Sequence, residues 1–396
     1  MSASPTSPHV AVIGAGAFGG WTALELCRRG ARVTLLDAWG AGNSRSSSGD
    51  ETRIIRGVYG PDKIYVDWVA RSFPLWRQAE ERWGVRLYRR TGCLWMCGDD
   101  DAYVRTCLPH FTNAGLAIAE LSLAEIQGRF PQIDFDGVGS AFFEEEAGYL
   151  LARRACQAVA AAVTAEGGEV RLAAAAPGPI AHGRLERLDL ADGSSLAADL
   201  YVFACGPWLG SLFPEVIGER RILPTRQEVF YFGPPAGDLR FDDSNCPVWI
   251  DLSGERIYYG IPGNEHRGFK VGDDTRGEPL DPTHTERTLT PSLLAAARAA
   301  MARRFPALAG APLAEARVCQ YENTSDGHLL FDRHPDAANL WLLGGGSGHG
   351  FKLGPAVGEY AAETILTDGA PLTIFALDRP GFDQGMPART QFEAVG

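Results

Sequence analysis

The sequence predicts an α/β protein whose nucleotide-binding unit is assembled from distant stretches of one chain. Three observations predict it. Residues 9–37 read strand, glycine turn, helix, strand and acid; "LYVFACGPW" (200–208) is an apolar strand that runs into glycine; and "LWLLGGGSGHGFKLGPAVGEYAAETIL" (340–366) is again strand, glycine turn and helix. Two glycine turns this far apart suggest one discontinuous domain that clasps an extended cofactor, with other segments inserted between them.

Composition sets the frame. The chain has 396 residues, 45% hydrophobic and 22% charged, so it can bury a large core, and its length favours two or three domains. A net charge of -12 argues against nucleic-acid or anionic-membrane binding, because both need a basic face for phosphate. The polar opening "MSASPTSPH" lacks a basic segment followed by an apolar run, and no stretch reaches bilayer length, so a cytoplasmic protein is expected. The eight cysteines are scattered, which argues against a disulfide framework. Cys93 and Cys97 fall on one face of the apolar run "GCLWMCG" with no second ligand pair, so they read as core rather than zinc ligands, and no metal site is expected.

The first unit is the most specific. In "HVAVIGAGAFGGWTALELCRRGARVTLLD" strands are expected over 10–13 and 33–36, and the helix between them stops at Arg28-Arg29-Gly30. Cations suit the negative helix end there, and glycine suits a left-handed cap. Gly14, Gly16 and Gly19 hold the G-x-G-x-x-G positions: tight turn, close backbone approach to a pyrophosphate, and close helix–strand packing. Asp37 closes the second strand, where it would accept hydrogen bonds from an adenosine ribose. This fingerprint fits NAD or FAD; its position at the start of the chain and the second glycine turn favour FAD. An Ala-rich helix over 153–166 and a strand around Val170 follow, then the strand ending at Gly206. Cys319, in "VCQYENTSDGHLLFDRHP", remains open at this level: core filler, nucleophile, metal ligand or attachment point.

With these residues in view, the chain resembles the monomeric sarcosine oxidase family of flavin amine oxidases, within the D-amino-acid-oxidase-like group, from about His9 to Pro380. The ordered matches are "SSSGDETRIIRGVYG" (46–60), "RQEVFYF" (226–232), "IYYGIP" (257–262), "GFKVG" (268–272), the cysteine stretch (318–335), "GSGHGFK" (346–352) and "FALDRP" (375–380). The resemblance implies an FAD-binding domain from 8–88, 146–220 and 326–385. A substrate domain of α+β type, built on an antiparallel sheet, is implied over 89–145 and 221–325. It implies FAD carried covalently through Cys319, with Gly14, Gly16, Gly19, Asp37, Ser46, Arg53, Val170, Gly206, Gly346, Gly348, His349, Gly350, Phe351 and Lys352 at the cofactor. Cations near Cys319 are expected to favour its thiolate.

The same resemblance places Arg56 and Lys352 on the substrate carboxylate, the first by a planar two-pronged contact and the second by point charge. Tyr259 and Tyr321 would line the pocket. Lys270 would assist electron transfer to oxygen and Arg53 would stabilise negative charge on the reduced ring. Lys63, Lys270 and Lys352 are the only lysines, and two of the three fall on these positions. Read without the family, each cation is an ordinary surface group and each tyrosine ordinary core. Two departures touch the pocket wall: Ser48 and Asp274 stand where the family carries histidines, and Glu51 is an extra residue. The expected reaction is oxidation of the C–N bond of a secondary or primary amino acid other than sarcosine, with O2 reduced to H2O2, by a monomer. The alternatives are a dehydrogenase that uses a quinone or carrier, and a dinucleotide-binding protein without turnover.

Overall fold

The computed structural model describes residues 7–383, so the last two residues of the expected FAD-binding domain, 384–385, lie outside the described residues. Strand His9–Ile13 is buried at every position. The reason is its central place in a six-stranded sheet covered on both faces. The order is Leu330–His334, Ala337–Gly344, Leu200–Phe203, His9–Ile13, Arg32–Asp37, Glu169–Leu172, and only the first of these runs antiparallel to its neighbour. Parallel strands end at the same edge. Gly14, Gly206 and Gly346 therefore follow three adjacent strands at one edge, where ligands of such sheets sit.

Helix Ala17–Arg28 ends where the sequence predicts, with Gly30 in the left-handed region. It packs against Ala152–Ala165 and Gly354–Leu366 on one face of the sheet. The opposite face is covered by a small sheet of Ala175–Pro177, Leu188–Leu190 and Ser195–Leu196, whose Leu188 and Leu190 join Ala11, Ile13 and Phe203 in one cluster. Gly19 is required by this packing: a Cβ there would lie 1.9 Å from the Gly14 carbonyl oxygen and 3.0 Å from Ala204 Cβ.

A second sheet has eight strands, in the order Leu313–Thr324, Ile222–Phe232, Phe269–Asp273, Tyr258–Ile261, Val248–Leu252, Cys93–Cys97, Ser140–Glu144, Ala119–Leu121. It is antiparallel except for one pair, Val248–Leu252 beside Cys93–Cys97. These strands lie far apart in sequence, and no hairpin dictates their direction. Helix Pro291–Arg304 covers the outer face of this sheet through Ala297 and Met301. A third, three-stranded sheet (Thr52–Ile55, Gly148–Leu151, Tyr88–Arg89) carries Arg53 towards the second one. Among the described residues no helix is long and apolar enough to cross a membrane.

Candidate active site

Period-two alternation determines what the second sheet presents to the first. In the register, Cys319 is opposite Gln227, Tyr321 opposite Thr225, and Lys270 opposite both Tyr231 and Ile261, while Tyr259 is opposite Gly272. Side chains two apart share a face. Gln227, Val229, Tyr259, Lys270, Asp274, Cys319 and Tyr321 thus line one cavity, which Arg53, Arg56, His349, Phe351 and Lys352 close from the other side.

A larger cleft of about 280 Å³ adjoins it and runs along the edge of the first sheet past Gly14, Gly16, Asp37, Ser46, Ser48, Gly206, Gly346, Gly348 and Gly350. Arg53, Tyr321, Gly348 and Phe351 border both spaces. The cleft suits a dinucleotide. Gly14 has φ +104° and a Cβ there would lie 2.3 Å from the Ala204 carbonyl oxygen, so only bare backbone fits the turn. Gly16 begins the helix without a side-chain cap. Asp37 accepts from the Ala15 and Trp39 N–H groups, at 2.8 and 2.9 Å.

The cations of the smaller cavity are buried. Arg56 is 3% exposed, donates to the Val58 carbonyl, and lies over the rings of Tyr59 and Trp95, at 4.7 and 5.3 Å. Burial opposes its charge, but Tyr103, Tyr59, Glu144 and Asp274 outweigh this and raise its pKa. Lys352 Nζ donates to Tyr59 Oη at 3.0 Å and to the His349 carbonyl at 2.9 Å. Burial and then the Arg56 charge push the Lys352 ammonium well below its ordinary pKa. Tyr321 Oη donates to Asp274 Oδ1 at 2.7 Å, and burial followed by this carboxylate raises the phenol well above its usual range.

Lys270, 1% exposed, makes an ion pair with Asp50 and donates to the Thr52 carbonyl at 3.0 Å. Arg53 Nη1 reaches the same Asp50 at 2.8 Å, and Tyr231 Oη donates to its other oxygen at 2.9 Å. Burial would raise the Asp50 carboxyl, yet Lys270 and Arg53 hold it well below the carboxylate range. Cys319 faces Arg53, Lys270 and Arg317, the cations expected to favour its thiolate. Their effect is outweighed. Burial and then Asp50 push the thiol up, so electrostatics in this structure favour the neutral thiol.

Most expected residues meet here, but three do not. Gly19 lines neither space and serves the packing of the helix on the Gly14 turn. Ser48 lies in the larger cleft, where its Oγ accepts from the Ala17 N–H at 3.1 Å, and it forms no part of the smaller cavity. Val170 sits on the edge strand, 40% exposed and outside the cleft, whose wall at that point is Ala173, Ala174 and Ala175. His349 is buried; its Nε2 meets the Gly327 carbonyl at 2.9 Å, and burial and then Lys352 keep the ring neutral. Sequence reasoning missed Asp50, Tyr59, Glu144 and Glu322. Asp50 and Tyr59 stand inside the stretch "SSSGDETRIIRGVYG", so proximity to Arg53 and Arg56 was the available signal. Glu144 accepts from Gly57 N–H at 2.6 Å and Trp95 Nε1 at 2.7 Å, contacts between segments that no local pattern reveals.

Residues 9–364 match the family model described as "DAO: FAD dependent oxidoreductase". The monomeric sarcosine oxidase of Streptomyces avermitilis is 31% identical, over 92% of this chain and 94% of its own. The human peroxisomal sarcosine oxidase is 30% identical, over 93% and 95%. Among solved structures, the L-proline dehydrogenase of P. horikoshii superposes with a TM-score of 0.80 at 23% identity, covering 94% of this chain and 96% of that one.

Proposed function

The chain belongs to the DAO family of FAD-dependent oxidoreductases, and on that premise we propose that it oxidises the C–N bond of a secondary or primary amino acid other than sarcosine, to the imine, with O2 reduced to H2O2. Oxidation of CH–NH bonds is the chemistry of its sarcosine oxidase relatives. FAD would supply the acceptor for a hydride equivalent and its passage to oxygen; Gly14, Gly16, Asp37, Ser46, Gly206 and Gly346 to Phe351 are the residues proposed to hold it.

One observation carries the reading: Arg56 and Lys352 line a single buried cavity with Lys270 and Cys319. Two cations there would take a carboxylate, and charge-assisted contacts gain strength where water is excluded. A carboxylate would also return Lys352 to its charged form. Tyr259 and Tyr321 would flank the substrate, and Asp274 would bias the pocket towards a substrate with an additional donor. With Ser48 in the cofactor cleft, the argument against sarcosine rests on Asp274. Lys270 is proposed to stabilise negative charge developing on oxygen, and Arg53 negative charge at the cofactor. The monomeric state is proposed by likeness to the bacterial relative.

An aerobic panel of sarcosine, a cyclic imino acid, an N-methylated aromatic amino acid and the matching carboxylate-free amines tests this. Peroxide should form with a carboxylate substrate other than sarcosine and be nearly lost in Arg56→Ala; equal kcat/KM for carboxylate-free amines would defeat the clamp. Asp50 compensates the Lys270 charge, which favours a second reading, a dehydrogenase that reduces a carrier. Dye reduction without peroxide would select it.

Covalent attachment of FAD through the Cys319 sulfur is proposed as well, supported by the thiol's place in the wall of the smaller cavity, close to Arg53, which borders both spaces. Acid precipitation should leave the yellow colour in the pellet, and the added FAD mass should vanish in Cys319→Ala. Complete release of flavin from the wild type would defeat attachment and leave the family assignment intact.

A further inference from the structure

We propose that the Glu322 carboxyl is a cofactor-binding group, its Oε2 hydrogen-bonding the hydroxylated linker of FAD midway along the larger cleft. The assignment rests on the cofactor reading above and concerns a residue that the clamp and the oxygen site do not use. Glu322 is buried and lines the cleft. Its Oε1 accepts from the Gly346 N–H at 3.1 Å, whereas its Oε2 is buried with no hydrogen-bond partner. An orphaned buried carboxyl oxygen is costly, so it points to a ligand atom.

The surroundings say which part of the ligand. Glu322 comes from the second sheet, yet it meets the glycine turns at the edge of the first: a Cβ on Gly206 would lie 3.0 Å from Oε2, and one on Gly346 3.0 Å from Oε1. One end of the cleft has Asp37 and the start of helix Ala17–Arg28, suited to the adenosine and pyrophosphate. The other has Arg53, Tyr321 and Phe351, shared with the smaller cavity. The polyhydroxylated linker joins those parts, and its hydroxyls can exchange hydrogen bonds with a carboxyl.

Among the described residues no cation acts on the Glu322 carboxyl. The turn after Leu200–Phe203 offers the Cys205 thiol, the turn after Ala337–Gly344 offers the Gly346 N–H, the first helix offers Phe18, and its own strand offers Tyr321. Burial, opposed only by the hydrogen bond from the Gly346 N–H, pushes the carboxyl up to about 7. A diphosphate in the same cleft favours the neutral acid further. FAD therefore binds the protonated form, with full affinity below about pH 7 and an affinity that falls as pH rises above it.

The test is FAD titration of flavin-free Cys319→Ser protein by fluorescence quenching between about pH 6 and 9, a range spanning the Glu322 transition. Kd should rise about tenfold per pH unit on the alkaline side. Adding Glu322→Gln, whose amide also donates and accepts, should keep the acidic-side affinity and flatten the profile. Adding Glu322→Ala should weaken binding about tenfold at pH 6, the loss of one buried hydrogen bond, with the flavin-free melting temperature and far-UV spectrum confirming that the variant is folded. An unchanged Kd in Glu322→Ala, or the parent's pH slope persisting in Glu322→Gln, overturns the assignment alone. Failure of the parent to bind FAD at any pH overturns the cofactor reading and this assignment with it.

Discussion

Lys270 and Asp50 show how single residues acquire meaning from what surrounds them. As one of three lysines, Lys270 is recognisable in the sequence, but its charge is meaningful only beside the fully buried Asp50 carboxylate and Arg53. Burial drives the lysine pKa down and Asp50 opposes that shift. Asp50 thus supports the charged form of a lysine that lines the smaller cavity, where it is proposed to meet charge developing on oxygen. Lys270→Met should slow reoxidation of the reduced protein by about two to three decades, the ~3–4 kcal/mol of one preorganised contact, and slow reduction by substrate far less. Stopped-flow measurement of both half-reactions checks this; an unchanged oxidative rate would remove Lys270 from the oxygen step. At this scale the sequence exposed the cations and the cysteine, while the direction of the Cys319 shift depended on an acid, Asp50, that adds to burial and outweighs the neighbouring cations.

The elements were legible wherever a local rule dictates them. Helix Ala17–Arg28, the Ala-rich helix Ala152–Ala165 and the strands flanking each glycine turn lie within a residue or two of their sequence-based positions, because apolar periodicity and glycine punctuation are properties of contiguous chain. Two glycines separate turn chemistry from packing. Gly84 caps the long helix Lys63–Trp83 at φ +65° with open space around it, whereas Gly19 has no room for a Cβ. Gly84→Ala should cost about 1 kcal/mol, the strain of a left-handed residue, and leave flavin content unchanged. Gly19→Ala should cost ~2–3 kcal/mol through overpacking and lower flavin content, since its clash is with the Gly14 carbonyl of the nucleotide turn. Urea unfolding and the flavin absorbance per chain measure both; equal effects would mean that the turn tolerates a displaced helix. Strand pairing was less legible: nothing in the local pattern announces the parallel pairing of Val248–Leu252 with Cys93–Cys97.

For the whole molecule, the two principal sheets contribute walls to the same two spaces, so that residues hundreds of positions apart share one site. Arg53 from the third sheet, Tyr321 from the second and Gly348 from the turn that follows Ala337–Gly344 of the first border both cavity and cleft. The sequence by itself determined the α/β class, the glycine-turn fingerprint, and a set of cations and tyrosines whose order matches a family, since each is written in contiguous residues. Only the tertiary structure decided which of them converge. It moved Ser48 to the cofactor cleft, left Val170 exposed at an edge, brought Asp274 onto Tyr321, and set Glu322 against the turns at Gly206 and Gly346. Convergence depends on sheet register and on burial, and both are fixed by contacts between segments that the chain order keeps apart.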